Sequence, residues 1–310
     1  MNIITLTLSP AFDMHCFVKG FEAYHENLAD ITALEAGGKG VNISRSLCFA
    51  GTDNLAFVVL GSENGGSFAK ALETDGIKYK SITVDGRIRE NITLHTDNAP
   101  ETRISFKGFN ADEKLLRDVE EEIAPLVDGD TIITFTGRVP EGMEMPSVKA
   151  FLKRLQSRGA RIVLDSRSFT TADMLDVTPW LIKPNEEEII TYVGREIFDL
   201  ESAACAADEL RFKGIDNVMI SLGGKGAVLS SESGTYTANA PKIEVLSTIG
   251  AGDSSIAGFI SAVAEGKDMG DALRNAVAFG SAACMSEGTR PPLAKDVQTL
   301  LDDIKVNRIG

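Results

Sequence analysis

The chain has 310 residues, 43% hydrophobic and 25% charged, with 31 Lys and Arg against 45 Asp and Glu, so its net charge is −14. That balance excludes disordered and fibrous classes, and so acidic a surface repels a phosphate backbone and excludes nucleic acid as a partner. No apolar run approaches the ~18 residues of a membrane span, and the opening MNIITLTLSP lacks the basic and apolar regions of a secretory leader, so a cytoplasmic protein without membrane contact is expected.

In chain order, the first β-rich run covers residues 3–8. Residues 11–36 read as short alternating strands with no helix between them, and a helical pattern follows at 40–50. A strand at 56–60 and a helix at 67–75 precede a second strand-rich stretch, roughly 84–108, with strands at 91–96 and 102–106 around the turn Asp97–Pro100. From there helices at 111–123, 145–158 and 201–212 alternate with strands at 131–135, 161–164, 180–183 and 218–221. A hairpin of 227–231 and 235–238 leads into two long helices, 253–265 and 269–286. Strand, helix, strand at this spacing predicts βαβ units and a mainly parallel sheet with helices on both faces. The two strand-rich stretches predict a small sheet beside it, either a lid, a dimer surface, or a pair of ordinary surface hairpins.

Cys16, Cys48, Cys205 and Cys284 form no CxxC pair, and His15, His25 and His95 are scattered. Reduced thiols and no zinc site are the expectation. Any anion must then be gripped by local donors, and the glycine clusters are where such donors concentrate. Gly37-Gly38-Lys39-Gly40, Gly223-Gly224-Lys225-Gly226 and Gly250-Ala251-Gly252-Asp253 are neither P-loops, since each lysine is followed by glycine, nor dinucleotide GxGxxG turns. No GxSxG elbow is present. The third cluster opens into Ser254-Ser255-Ile256-Ala257-Gly258-Phe259-Ile260, so its amides and the helix dipole can form an anion hole without a cationic side chain. Asp253 is there either a helix N-cap or a base for a hydroxyl attacking a bound phosphate. The first cluster has the same form, with Asn42 in the first helical turn, and reads either as a ligand-binding turn or as a plain strand-to-helix turn.

Five segments in order carry a resemblance: Thr7-Leu8-Ser9-Pro10-Ala11-Phe12-Asp13, Gly37-Gly38-Lys39-Gly40-Val41-Asn42, Lys183-Pro184-Asn185-Glu186-Glu187-Glu188, Ser221-Leu222-Gly223-Gly224-Lys225-Gly226, and Ser247-Thr248-Ile249-Gly250-Ala251-Gly252-Asp253-Ser254. Over essentially the whole chain they resemble the phosphofructokinase B (ribokinase-like) sugar kinase family, in its 1-phosphofructokinase and tagatose-6-phosphate kinase branch. The resemblance implies an α/β ribokinase-like fold, a mainly parallel central sheet flanked by helices, in one kinase domain over 1–310. It also implies a small β-sheet lid from about 11–36 and 84–108. It implies ATP and Mg²⁺ as cofactors and Asp253 as catalytic base, with Gly250, Ala251 and Gly252 as the anion hole. Asp13, Gly38 and Asn42 would hold sugar hydroxyls, and Lys39 and Arg89 an acceptor phosphate; Arg103 and Arg138 are further candidate cations for it, each otherwise a solvated surface charge. Lys183, Asn185, Ser221, Gly223, Gly226 and Ser286 would border the nucleotide, and Glu188 would act on magnesium through water.

Ser9, Leu28, Ser105 and the run Thr136-Gly137-Arg138-Val139-Pro140 depart from the branch pattern. Leu28 removes a phosphate ligand that Arg138 can replace from another direction. The implied reaction is ATP-dependent phosphorylation of a ketohexose phosphate, fructose 1-phosphate giving fructose 1,6-bisphosphate. Tagatose 6-phosphate, or an unphosphorylated sugar or nucleoside, are the alternative acceptors; a non-catalytic nucleotide sensor is disfavoured by the intact Asp253 and its glycine turn. A homodimer through the lid is also implied.

Overall fold

The computed structural model describes every residue except 287 and 289. Strand β1 (Asn2–Thr7) is followed by β2 (Ala11–Val18), β3 (Asp30–Gly37) and helix α1 (Lys39–Phe49), then β4 (Leu55–Gly61), α2 (Gly65–Thr74), β5 (Tyr79–Val84), β6 (Arg89–Thr96) and β7 (Thr102–Ser105). The middle of the chain runs α3 (Glu113–Ile123), β8 (Thr131–Thr136), α4 (Met145–Ser157), β9 (Arg161–Asp165), α5 (Thr171–Val177), β10 (Leu181–Ile182), α6 (Glu186–Val193) and α7 (Leu200–Phe212). The last third is β11 (Asn217–Ser221), β12 (Ala227–Ser231), β13 (Gly234–Ala238), α8 (Ala251–Ala264), α9 (Met269–Cys284), α10 (Ala294–Leu301) and β14 (Val306–Arg308).

The described residues form a ten-stranded sheet in the order β14-β13-β12-β11-β10-β9-β8-β1-β4-β5. From β5 to β11 neighbouring strands are parallel, and β12 to β14 finish it antiparallel. Strands such as β4 (LAFVVLG) carry apolar residues on both faces because both are covered. On one side Leu116, Val119 and Ile123 of α3, Phe151 and Leu155 of α4, and Leu210 of α7 pack on Leu6, Phe135 and Leu164. On the other, Ile43 of α1, Phe259 of α8 and Leu273 of α9 pack on Ile3, Ile132 and Met219. This is the expected mixed α/β architecture. No helix among the described residues is long and apolar enough to cross a membrane.

Several elements were not foreseen. Strand β5 lies at the sheet edge, where Lys80, Ser81 and Thr83 are exposed and the rest only partly covered, and its lysine and serine hide the apolar signal. Helices α5 and α6 have 7 and 8 residues, too short for a periodic stripe; reciprocal capping boxes, Thr170 with Asp173 and Asn185 with Glu188, start them instead. Strand β10 shrinks to Leu181–Ile182.

The second sheet has the order β3-β2-β6-β7. Ala11 pairs with both Gly37 and Arg89, so three of its strands meet the main body on one row. Two residues along, Asp13, Asn91 and Ser105 share a second row, while Met14, Leu34, Ile92 and Ile104 occupy the next, with side chains on the opposite face. Leu34 is 53% and Ile104 47% exposed.

Candidate active site

The parallel strands β1, β8, β9, β10 and β11 all end on one edge of the large sheet, the edge at which open α/β sheets bind ligands. Helices α1 and α8 begin there, each from a glycine N-cap that no side chain could assume without strain: Gly38 at φ 116° and Gly250 at φ 80°. Asp253 is the third residue of α8 and makes no cap bond, so capping does not explain it. In this turn the Ala251 amide donates at 3.4 Å to Thr248 O and the Ser254 amide at 2.9 Å to Gly250 O. The amides of Gly250, Gly252 and Asp253 have no acceptor among the described residues. They are the open donors expected at a helix N-terminus. Gly252 also makes room for a cation: a Cβ there would lie 3.0 Å from Lys183 Nζ. Lys183 itself is buried just beyond β10.

Asp253 is 6% exposed. Its Oδ2 accepts a 2.9 Å hydrogen bond from Asn42 Nδ2, and its Oδ1 accepts none among the described residues. Burial pushes its pKa up to about 6; Asp165 adds to the rise, while Lys39, the Asn42 bond and Lys183 oppose it. Asp165, at the end of β9, is equally buried but behaves oppositely. Burial raises its pKa, yet Lys183 and Lys39 outweigh that and hold it below the ordinary carboxylate value. Lys39 Nζ donates to Asp165 Oδ1 at 2.8 Å, and Asp165 Oδ2 is buried without a partner among the described residues. Burial lowers the Lys39 pKa, and the carboxylates of Asp165, Asp253 and Glu188 more than reverse that. Two buried acids are thus pushed apart, one fixed as an anion and one poised to exchange a proton near neutrality.

On the second sheet Asp13 Oδ1 accepts from Asn91 Nδ2 at 2.8 Å and from Arg103 Nη2 at 3.4 Å. A Cβ at Gly37 would lie 2.2 Å from Asp13 Oδ2, so any side chain there would push the Asp13 carboxylate aside. Arg89 is lowered in pKa by burial first and then by Arg138 and Arg103, with Asp13 opposing. Its Nε is buried without a partner among the described residues. Arg138 is exposed on the loop after β8, where the preceding Gly137 amide donates to Asp165 O at 3.0 Å. Arg103 is paired with Asp13, and Arg89 feels Asp13, Arg103 and Arg138 together, so three guanidiniums lie near one another, an excess of positive charge that an anion would relieve.

On the far side, Pro184 O accepts from the Ser221 amide at 3.1 Å, which sets Lys183–Glu188 beside the Gly223–Gly226 turn. Gly226, at φ 112°, leaves no space for a Cβ, which would lie 2.0 Å from Ala238 O. Asn185 Oδ1 accepts from the Glu188 amide at 2.9 Å, Glu188 Oε2 from the Asn185 amide at 3.1 Å, and Glu188 Oε1 from Arg167 Nε at 3.0 Å. Ser286 is half-buried just past α9, near Cys284 O, which accepts from the Leu246 and Ser247 amides at 2.9 and 3.3 Å. It therefore borders the loop that leads to Gly250.

The structure thus gathers Gly38, Lys39, Asn42, Lys183 and Gly250–Asp253 in one place, sets Asp13, Arg89 and Arg138 on its second-sheet side, and puts Asn185, Glu188, Ser221, Gly223, Gly226 and Ser286 on its opposite flank. Asn42 differs from expectation: it is 8% exposed, and its amide bridges Asp253 and Arg45 Nη1. Asp165 was missed. An acid closing a β-rich run, at the edge where parallel strands place functional groups, was its available signal. Asn91 was visible only as part of Arg89-Glu90-Asn91.

A family model described as pfkB family carbohydrate kinase matches residues 11–296. The 1-phosphofructokinase of Escherichia coli (strain K12) is 32% identical over 300 residues, covering 94% of this chain and 95% of that protein. The 1-phosphofructokinase of Bacillus subtilis (strain 168) is 29% identical over 309 residues, covering 99% and 100%. Among solved structures, phosphofructokinase-2 from Escherichia coli in complex with substrates and products superimposes with a TM-score of 0.90 at 25% identity, over 98% of this chain and 99% of that one.

Proposed function

The chain belongs to the pfkB family of carbohydrate kinases, and from that premise we propose that it transfers the γ-phosphoryl group of ATP to a hydroxyl of fructose 1-phosphate, giving fructose 1,6-bisphosphate. The observation that carries the choice of a phosphorylated acceptor is the cluster of Arg89 with Arg103 and Arg138, Arg103 paired with Asp13 and Arg89 Nε unpartnered among the described residues, on a protein of net charge −14. A neutral sugar or nucleoside would leave those cations unanswered. The curated relatives named 1-phosphofructokinase favour the 1-phosphate over tagatose 6-phosphate.

In this reading Asp13 holds acceptor hydroxyls, with Gly38 and Asn42 at the edge of the same pocket, and the arginines and Lys39 bind the acceptor's phosphate. Asn42 then shares its amide between the substrate and Asp253. The acceptor oxygen forms a bond to the γ-phosphorus as the bond to the bridging oxygen of ADP breaks, and its proton passes to Asp253. Such transfers rest on positioning and charge neutralisation. The free amides of Gly250, Gly252 and Asp253, with the α8 dipole and Lys183, face the migrating group. Ala251 serves mainly to shape the turn, since its own amide is engaged. With a pKa near 6, Asp253 is ionised at neutral pH yet still a useful acceptor of the hydroxyl proton.

Lys183, Asn185, Ser221, Gly223, Gly226 and Ser286 border the nucleotide. No cluster of three or more His, Cys, Asp or Glu placed for a metal exists among the described residues, and both Glu188 oxygens are engaged. With its oxygens engaged, Glu188 would act on a hydrated Mg²⁺ through water rather than directly, and the ion would serve to neutralise phosphate charge. The second sheet acts as a lid over the acceptor, and its outer face around Leu34 and Ile104 seats a second copy of the chain.

A coupled ADP-release assay comparing fructose 1-phosphate, tagatose 6-phosphate, fructose and ribose tests the assignment. The highest kcat/KM is expected with fructose 1-phosphate, and turnover confined to the unphosphorylated acceptors would overturn it.

A further inference from the structure

Beneath Asp253 lies a chain of polar contacts that runs from the site to the surface. Asn42 Oδ1, on the far side of the amide that donates to Asp253, accepts from Arg45 Nη1 at 3.2 Å. Arg45 is 9% exposed on the buried face of α1. Its Nε and Nη2 both donate to Asp75 Oδ2, at 2.9 and 2.8 Å, and Nη2 also donates to Ala36 O at the end of β3. Asp75 caps α2, and its side chain is 35% exposed.

We propose that Arg45 is a positioning residue for phosphoryl transfer: anchored on Asp75, it fixes which end of the Asn42 carboxamide meets Asp253. A carboxamide offers a donor at one end and an acceptor at the other, and nothing in Asn42 itself selects between them. A guanidinium has only donors, so Arg45 can face only the oxygen, and the NH₂ is thereby turned toward the carboxylate. A hydrogen bond to the charged form of an acid favours that form. With Arg45 released, the amide can rotate and present Oδ1 to Asp253, which favours the protonated acid. The other charged groups facing Asp253 are Lys39 of α1, Asp165 of β9 and Lys183 beyond β10. Among the described residues neither Arg45 nor Asp75 hydrogen-bonds to them, so the direct polar route from this relay to Asp253 is Asn42. The proposal rests on Asp253 being the base.

The test is the pH profile of kcat in Arg45→Lys and Asp75→Asn, with Asp75→Glu as the conservative partner and Asp253→Asn run alongside. Arg45→Lys keeps a charge but cannot span Asp75, Ala36 and Asn42 together. It is expected to lower kcat roughly ten- to a hundredfold, the scale of one hydrogen bond to a charged group. Its acid limb should move up by about one pH unit, with the KM for ATP within about twofold of wild type. Asp75→Asn should shift the limb the same way by less, and Asp75→Glu should restore it. A limb that stays in place in both variants, whatever their kcat or melting temperature, reduces Arg45 to a staple among α1, α2 and β3 and overturns the proposal. Should Arg45→Lys fail to fold, Asp75→Asn decides, because its side chain lies partly in solvent. If Asp253→Asn retains turnover, the base assignment fails; if it abolishes turnover while the limbs stay fixed, only the relay fails.

Discussion

Replacing Asp253 by Asn should make the protein more stable while removing its activity. The folded state raises this acid from 3.8 to about 6, with burial the dominant cause, and each unit is worth 1.36 kcal/mol. Keeping Asp253 ionised therefore costs the fold about 3 kcal/mol, a net figure that already includes the attraction of Lys39 and Lys183. The sign follows from the direction of the shift. The folded state holds its proton up to a higher pH, so the stabilisation from protonation is complete below 3.8 and is lost as pH climbs through about 6. An asparagine never ionises and keeps that stabilisation throughout. With an unfolding entropy of about 2.1 cal/mol/K per residue, a chain of 310 residues should melt roughly 4–5 °C higher as the variant at pH 8. At pH 5 about half of the 3 kcal/mol should remain. Thermal melts of both proteins across pH 5 to 8, with turnover measured in parallel, are the assay. Turnover should fall about 10²–10⁴-fold. A variant that melts below wild type at pH 8, or a difference that does not change with pH, would refute this account of the buried charge.

Wild-type kcat should rise with pH through about 6 as Asp253 ionises; a flat profile from pH 5 to 8 would contradict it. Arg89→Ala should raise the KM for the sugar phosphate roughly 10–100-fold, the worth of hydrogen bonds to a charged group, with the KM for ATP changed less than twofold; equal losses would remove Arg89 from the acceptor pocket. Gly250→Ala forces a side chain onto φ 80° and should cost about 1–2 kcal/mol while lowering kcat, and a variant with wild-type melting and turnover would sink the case for that turn. Leu34→Asp should convert a dimer into monomers by analytical ultracentrifugation, and an unchanged sedimentation coefficient would dismiss the outer face as its contact.

What was legible in the sequence was whatever depends on local chemistry. Apolar runs such as 131–135 and 218–221 return as β8 and β11 because strands covered on both faces leave little polar alternation. The glycines at 38 and 250 announce φ values that only glycine takes easily. What was not legible depends on long-range geometry. Asp165 has no flanking motif, and its role arises only because β9 lies between β8 and β10, bringing Lys39 and Lys183 to it. Asn42 reads as a free amide in sequence, whereas Arg45 and Asp253 claim both of its ends. Asn185 and Glu188 stand out as a motif, and the fold reveals that they also close a capping box, a structural duty that would by itself conserve their spacing.

The split of the pocket between two sheets has a practical consequence for engineering. Several of the residues that read the acceptor, on the reading proposed here, project from the four-stranded sheet, namely Asp13, Arg89, Asn91 and Arg103, while Lys39, Asn42 and Arg138 approach it from the large-sheet side. Those that move the phosphoryl group sit on the parallel sheet and on α8, whose close packing against α9 at Gly258 and Gly280 leaves it little freedom. Sugar preference can therefore be rewritten by randomising one small cassette while the transfer machinery is left as inherited. Libraries confined to that cassette should retain ATP turnover far more often than libraries of equal size spread over the whole cleft.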